Sequence, residues 1–370
     1  MNNVNLGIVT VDHVGWKTVR KRWEEDLAEY APSLYHIEDY ARKAKGLTDR
    51  YGGRSIGISL AGRAAASAAI GAGAKVVLLS NLQCAPFVPL PKGLNYIIYG
   101  DCTSAQLVEL YGGKKLRFPG SWVNACFRRL VKQGCYFLCM TDWYRNALRE
   151  EFGISDEQLI LLPFYVDTDK WKPLSPKPVN ARKQVLFIGG ELYRKGADIV
   201  YDLARLEKFR DVDFHIVSPN AEAGPDNLYA HRSFSADTAD LVRLASRCDI
   251  FILPTRSDAS PIAALEAAAC GLPAIITRRG GIPEMVVDGV TGLVLPEPTL
   301  DSFAGALSVY LSNSELLAQH GRNARRHVER NYSKSQHLAT LHGVINCSAL
   351  EVQRAMQGDD GLRRAAYRGW

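Results

Sequence analysis

The residues best suited to do chemistry lie between 249 and 284. That stretch reads Asp249-Ile-Phe-Ile-Leu-Pro-Thr-Arg-Ser-Asp258-Ala-Ser-Pro-Ile-Ala-Ala-Leu-Glu266-Ala-Ala-Ala-Cys-Gly271-Leu-Pro273, then, after a second apolar run, Arg-Arg-Gly280-Gly281-Ile-Pro-Glu284. An apolar strand ends at Pro254, and a short loop carries Asp258 and Ala259. Ser260-Pro261 predicts a helix start with a hydroxyl cap and proline at the first position. The open amides of such a start favour an anion. Glu266, within the first two turns and without a basic residue four positions on, is an acid able to accept hydrogen bonds from a diol. Gly280 and Gly281 carry no side chain that would keep a phosphate from the backbone. Upstream, Phe187-Ile-Gly-Gly190-Glu-Leu-Tyr-Arg194-Lys195-Gly196 sets two adjacent cations after a glycine turn.

The elements that must hold these residues are legible as apolar runs alternating with helical stretches. In the first half the runs are 6–11, 75–80, 94–99 and 136–140, with helical patterns over 17–30, 104–111 and 142–152. The pattern restarts at 185–188, 213–217, 249–253, 274–277 and 292–295. This alternation predicts parallel sheets in an α/β protein of two Rossmann-like, doubly wound domains, with ligands at the carboxyl ends of the strands, in a cleft between the domains. The proline-rich segment from Trp171 to Asn180 places a linker at 173–180. It separates a domain over 1–172 from one over 181–334, and leaves a helix and tail, 335–370, free to return to the first domain. Asp12, His13 and Gly15 follow the first strand and Asp101 follows the strand 94–100, positions that face a ligand in such sheets.

Length and composition agree. A chain of 370 residues is longer than one core usually grows, about 250–300 residues. With 47% hydrophobic and 23% charged residues, disorder, collagen and coiled coil are excluded. The net charge of +6 comes without dense Lys/Arg blocks, so nucleic acid is not an expected partner. The basic run 17–22 and the acid-free stretch 51–100 could face an anionic substrate or a membrane surface. Eight cysteines without a CxxC pair or zinc spacing read as reduced thiols, and the absence of a signal-peptide pattern adds to a cytoplasmic expectation. The longest apolar stretch, 55–80, contains Arg63 and Lys75 and reads as a helix plus a strand, not a membrane span. The strings Asp167-Thr-Asp169 and Asp211-Val-Asp213 lie away from strand carboxyl ends, so no metal site is expected there. Neither half opens with GxGxxG, which argues against a dinucleotide dehydrogenase.

The segment 249–284 resembles the donor-binding signature of the family 4 (group 1) glycosyltransferases: an acid, seven residues, then Glu in Leu-Glu-Ala, followed by Gly-Leu-Pro and Gly-Gly-x-Pro-Glu. Thr141-Asp-Trp143 through Pro173 is similar to the end of that family's first domain, and 187–196 to the start of its second. The resemblance implies a GT-B fold, a nucleotide diphosphate sugar held mainly by the second domain, and an acceptor held by the first. It implies that Glu266 meets the ribose hydroxyls and that Asp258, with the backbone of Ala259, Ser260 and Pro261, holds the donor sugar. Arg194 and Lys195, with Gly190, Gly280 and Gly281, would take the diphosphate. Asp258, Glu266 and Asp101 form the implied catalytic set, and Asp12, His13 and Gly15 the acceptor side. The implied reaction is a retaining transfer from a UDP or GDP sugar to a hydroxyl, in polysaccharide, glycolipid or glycoconjugate synthesis, with no metal or other cofactor. Four positions differ from the family's habit: Gly190 stands where Arg is common, Asp258 where Glu is usual, Ser260-Pro261 where an aromatic-glycine pair is frequent, and Asp101 ends a strand that often ends in His. These differences keep two rivals in view, a nucleotide-sugar epimerase or hydrolase of the same fold and a non-catalytic binding protein.

Overall fold

The computed structural model describes residues 4–11, 14–41, 54–112, 120–174, 182–234 and 238–346. The chain forms two compact units, one of residues 1–163 and 338–370, the other of residues 164–337.

The first unit is built on six strands: β1 (Leu6–Thr10), β2 (Ser33–His36), β3 (Val76–Ser80), β4 (Asn95–Gly100), β5 (Tyr136–Cys139) and β6 (Leu159–Leu161). They are all parallel, in the order β2-β1-β3-β4-β5-β6. Every residue of β1 and β3 is buried, the pattern of strands covered by helices on both faces, where apolar runs are continuous instead of alternating. Local chemistry marks the helix ends. Thr103 makes a reciprocal capping box with Gln106, and Gly112 in the left-handed region closes the helix Ser104–Tyr111. Thr141 caps the helix Asp142–Phe152, which ends at Gly153.

The second unit repeats the plan with β7 (Lys183–Ile188), β8 (Val212–Val217), β9 (Leu228–His231), β10 (Ile250–Leu253), β11 (Ala274–Thr277) and β12 (Gly292–Leu295). The order is β12-β11-β10-β7-β8-β9, again all parallel. The chain winds outward from β7 through β8 to β9, then returns to the other side of β7 with β10. The reversal between β7 and β10 is a topological switch point, where loops diverge from neighbouring strand ends and leave a crevice.

The expected α/β class and doubly wound sheets are present. Three strands were not foreseen: β2, β6 and β9. All three lie at sheet edges, where short strands with polar residues, such as Ser33-Leu-Tyr-His36 and Leu228-Tyr-Ala-His231, lack the long apolar run of a central strand. The division between the units also falls earlier than the expected linker, between Pro163 and Phe164. Trp171 explains this: it is fully buried in the second unit's core, with Val166, Phe187 and Phe251, so the chain is already committed to that core before the prolines. Of the expected linker 173–180, residues 175–180 lie outside the described residues.

Among the described residues, no helix is long and apolar enough to cross a membrane. The apolar stretch 55–80 is the helix Arg54–Gly71 followed by β3. None of the seven described cysteines forms a disulfide.

Candidate functional site

The glycine turn after β7 starts the site. The Gly189 amide donates to the Val217 carbonyl of β8 at 3.1 Å, which leaves Gly190 outside the sheet. A Cβ at Gly190 would meet nothing within 4 Å. One helical turn, Leu192–Lys195, follows and ends at Gly196, whose φ of +80° only glycine adopts easily. A Cβ there would also collide with the Pro254 carbonyl. Gly196 is what allows the β7 loop to lie directly on the end of β10.

Backbone and side chains then stitch the two loops together. The Arg256 amide donates to the Arg194 carbonyl at 2.9 Å, and the Arg194 guanidinium donates to the Ser257 carbonyl at 2.6 Å and to Glu191 at 2.9 Å. This hydrogen bond from Arg194 holds the Glu191 carboxyl below its usual pKa. Lys195 Nζ makes an ion pair with Asp258 Oδ2, and both side chains are largely buried, 15% and 10% exposed. A charge pair this sheltered is stronger than a surface pair because water screens it less. Of the two cations assigned to a phosphate from sequence, Arg194 is engaged in bracing the loop, whereas Lys195 faces the acid of the signature.

The third loop follows β11. Gly280 has φ +48°, and a Cβ there would lie 2.7 Å from the Asp258 carbonyl and 2.9 Å from the Ala259 Cα. The next amide, of Gly281, donates to the Ala259 carbonyl at 2.8 Å. Gly280 and Gly281 thus serve close packing of the loop onto 258–259. Arg279 secures the same loop, donating to the carbonyls of Arg256 at 3.2 Å and Pro296 at 3.0 Å and pairing with Glu297 at 2.7 Å.

One local expectation is corrected. Pro261, with ψ 106°, itself occupies the cap position, so the helix is Ile262–Ala269 and no side chain makes a cap hydrogen bond. Ser260 is one residue too far out to act as the cap. Ala259 and Ser260 remain in the loop, next to Asp258. Glu266 is only 6% exposed, on a helix whose residues from Ala264 to Ala269 are all buried. A carboxylate at that depth is costly unless hydrogen bonds hold it.

In the first unit, Asp101 follows the carboxyl end of β4. The Cys102 thiol donates to Asp101 Oδ1 at 3.5 Å, and burial, followed by the Asp101 charge, pushes that thiol's pKa up. Gly15 lies in the first turn of the helix Val14–Asp26. Asp12 and His13 lie outside the described residues. Among the described residues, no group of three or more His, Cys, Asp or Glu side chains could hold a metal. Of the two Asp-x-Asp strings, Asp167 accepts the amides of Asp169 and Lys170 at 3.1 Å each, an ordinary turn. Asp213 accepts from Gln184 at 2.7 Å.

Reading the sequence missed Arg256, Asp198, Tyr193 and Arg279. Arg256 and Asp198 meet in a two-pronged ion pair, at 2.8 and 2.7 Å, across 58 residues of chain. No local spacing announces such a pair.

Comparison with known proteins matches residues 169–327 to the family Glycosyl transferases group 1. Among curated relatives, MMP alpha-(1->4)-mannosyltransferase of Mycolicibacterium hassiacum is 26% identical over 218 residues, 56% of this chain and 52% of the relative. Glycogen synthase of Mycobacterium tuberculosis is 23% identical over 255 residues, 64% of this chain and 61% of the relative. The matched stretches therefore span 52% to 61% of these relatives' own length. Two solved structures share the fold: sucrose-phosphate synthase of Thermosynechococcus elongatus, with TM-score 0.69 and 14% identity over 92% of this chain and 98% of the other, and WaaG, a glycosyltransferase involved in lipopolysaccharide biosynthesis, with TM-score 0.66 and 15% identity over 93% and 100%. The two six-stranded parallel sheets are those of the GT-B class. The matched residues lie within the second unit and contain all three loops around the β7/β10 switch point, so the likeness to the group 1 glycosyl transferases is a likeness of this unit.

Proposed function

We propose that this chain transfers a sugar from a nucleoside diphosphate sugar, with UDP or GDP as the carrier, to an acceptor hydroxyl, and that its second unit holds the donor. The observation that carries this reading is the convergence of Lys195, Asp258 and Gly280 at the switch point of a doubly wound sheet, with Glu266 buried on the helix that follows. In such a transfer, negative charge grows on the leaving diphosphate. Lys195 and nearby amides supply fixed positive charge there, which lowers the barrier without reorganisation at the moment of reaction. Glu266 binds the ribose hydroxyls, and Asp258 orients the donor sugar.

The proposed transfer retains the anomeric configuration: the leaving diphosphate oxygen helps to deprotonate the incoming hydroxyl on the same face of the sugar. In this proposal the protein cations and amides stabilise the diphosphate, with no call for a metal. Asp101 and the segment after β1, with Asp12, His13 and Gly15, serve the acceptor. Support for the reaction class comes from the relatives, which are named as a mannosyltransferase and a glycogen synthase. A cytoplasmic location is part of the same proposal, with the basic run 17–22 of the helix Val14–Asp26 as the candidate contact should the protein work at a membrane surface.

The test is calorimetric titration of the purified full chain with UDP, GDP and ADP, beside Glu266→Ala. Selective binding of one diphosphate, weakened at least about tenfold by loss of the carboxylate, is the expected result; ~1.4 kcal/mol corresponds to that factor. Absence of binding by all three would overturn the donor-site assignment and favour the non-catalytic rival.

A further inference from the structure

Arg256 lies just before the signature that starts at Asp258 and is assigned no role in it, yet it ties three loops together. Its guanidinium grips Asp198 through two nitrogens, at 2.8 and 2.7 Å, and donates a further hydrogen bond to the Tyr193 carbonyl at 2.6 Å. The same group lies over the Tyr193 ring, 4.1 Å from its centre. Asp198 stands in the first turn of the helix Ala197–Arg205, so it is a fixed anchor. The hydrogen bonds it donates to Asp198 raise the Arg256 pKa above its ordinary value. Through its main chain, Arg256 donates to the Arg194 carbonyl and accepts from Arg279. One residue thus joins the loops after β7, β10 and β11, which respectively carry Lys195, Asp258 and Gly280.

The charge of Arg256 is spent on Asp198 and its fork on fixed acceptors, so little of it is left for a ligand. Only a planar, five-donor guanidinium can make this set of contacts; a lysine would make one of them at a time. We propose that Arg256 is a positioning residue of the transfer reaction. Without touching either substrate, it holds the three loops in register, so that Lys195 and the loop amides are aimed at the leaving diphosphate before the reaction starts. This inference rests on the donor-site reading above. Preorganisation of this kind acts on the transition state more than on the bound ground state, so its loss lowers kcat and leaves KM nearly unchanged.

The experiment compares the full chain with Arg256→Gln, Arg256→Lys, Asp198→Asn and the double variant Arg256→Gln/Asp198→Asn. UDP-glucose and GDP-mannose are the donor probes, and release of nucleoside diphosphate is followed with and without a sugar acceptor mixture. Binding of UDP and GDP and amide hydrogen exchange over 190–196 and 278–281 are measured on the same samples. The expected result is a kcat at least about thirtyfold lower in Arg256→Gln, with the donor KM within about threefold. Asp198→Asn should fall in the same direction, the double variant should be no worse than Arg256→Gln alone, and both loops should exchange faster. Arg256→Lys should not restore the rate. A rise in KM at constant kcat would show direct ligand contact and overturn the proposal. Full activity in Arg256→Lys, multiplying effects in the double variant, or unchanged loop exchange would each overturn it as well. If the unmodified protein binds neither UDP nor GDP, the donor-site reading falls and takes this role with it, whereas unchanged loop exchange overturns the role alone.

Discussion

Asp258 and Lys195 neutralise one another in a sheltered ion pair, and this sets opposite expectations for binding and turnover. In Asp258→Asn, Lys195 loses its carboxylate, so the positive charge it presents to a diphosphate is no longer partly offset. Affinity for UDP or GDP should hold or rise, while sugar transfer drops at least about tenfold because the donor sugar loses its orienting acid. Titration beside a transfer assay separates the two, and loss of affinity would show that the pair itself builds the phosphate site. Gly190 offers the converse test. Its missing side chain would enter open space, so Gly190→Arg should fold normally and tighten nucleoside diphosphate binding about three- to tenfold, roughly one charge-assisted hydrogen bond. Unchanged or weaker binding would place the phosphates elsewhere. At this scale the signature was legible because Asp258 and Glu266 are separated by a fixed, local spacing. The Arg256–Asp198 pair was not, since it depends on how two strand-end loops meet in three dimensions. The same holds for the task of Arg194, whose adjacency to Lys195 in sequence says nothing of the Ser257 carbonyl it bonds.

Among the elements, the turn from the one-turn helix Leu192–Lys195 into Ala197–Arg205 depends on Gly196. Its positive φ and its contact with the Pro254 carbonyl predict that Gly196→Ala destabilises the second unit by about 3 kcal/mol or more, measurable by urea unfolding. A change within about 0.5 kcal/mol would show that the loop relaxes freely. Strands β8 and β9 hold a second testable feature. His215 on β8 hydrogen-bonds His231 on β9 at 3.0 Å and stacks on Tyr229. Burial, then the neighbouring His231, lowers the His215 pKa from 6.5 to about 4, while Asp213 opposes and Arg247 adds to the shift. The unfolded chain therefore binds a proton between these two values that the folded chain does not. Stability from this group is complete above about pH 6.5 and is lost as pH falls toward 4, on the order of 2 kcal/mol after allowing for partial exposure. His215→Gln should flatten that part of a denaturation-against-pH profile; an unchanged slope would assign it to other groups. Central strands were readable because both faces are buried and the apolar run is continuous. The edge strands β2, β6 and β9 were not, because a strand paired on one side needs neither length nor uniform apolarity.

For the molecule as a whole, the two sheets followed from the restart of the strand–helix alternation, but the unit boundary did not. Prolines mark where a chain is extended, whereas Trp171, buried before them, marks where the second core begins. The other boundary lies inside the helix Lys334–Asn346, whose residues from Leu338 onward belong to the first unit. There His342 pairs with Glu29 at 2.8 Å, Asn346 donates to the Tyr30 hydroxyl at 2.6 Å, and Leu341, Val344 and Ile345 are buried. Removing residues 338–370 should lower the unfolding temperature of the first unit by several degrees and leave that of the second within about a degree, read by calorimetry as separate transitions. Equal shifts in both would show that the units melt as one. Because the first unit is made from both ends of the chain and the second from an unbroken stretch between them, the order of events at the ribosome is constrained. The second unit can complete its core as soon as residue 337 has left the exit tunnel, whereas in the first unit Asp26, Glu29 and Tyr30 wait for His342 and Asn346 until the helix Lys334–Asn346 has emerged as well.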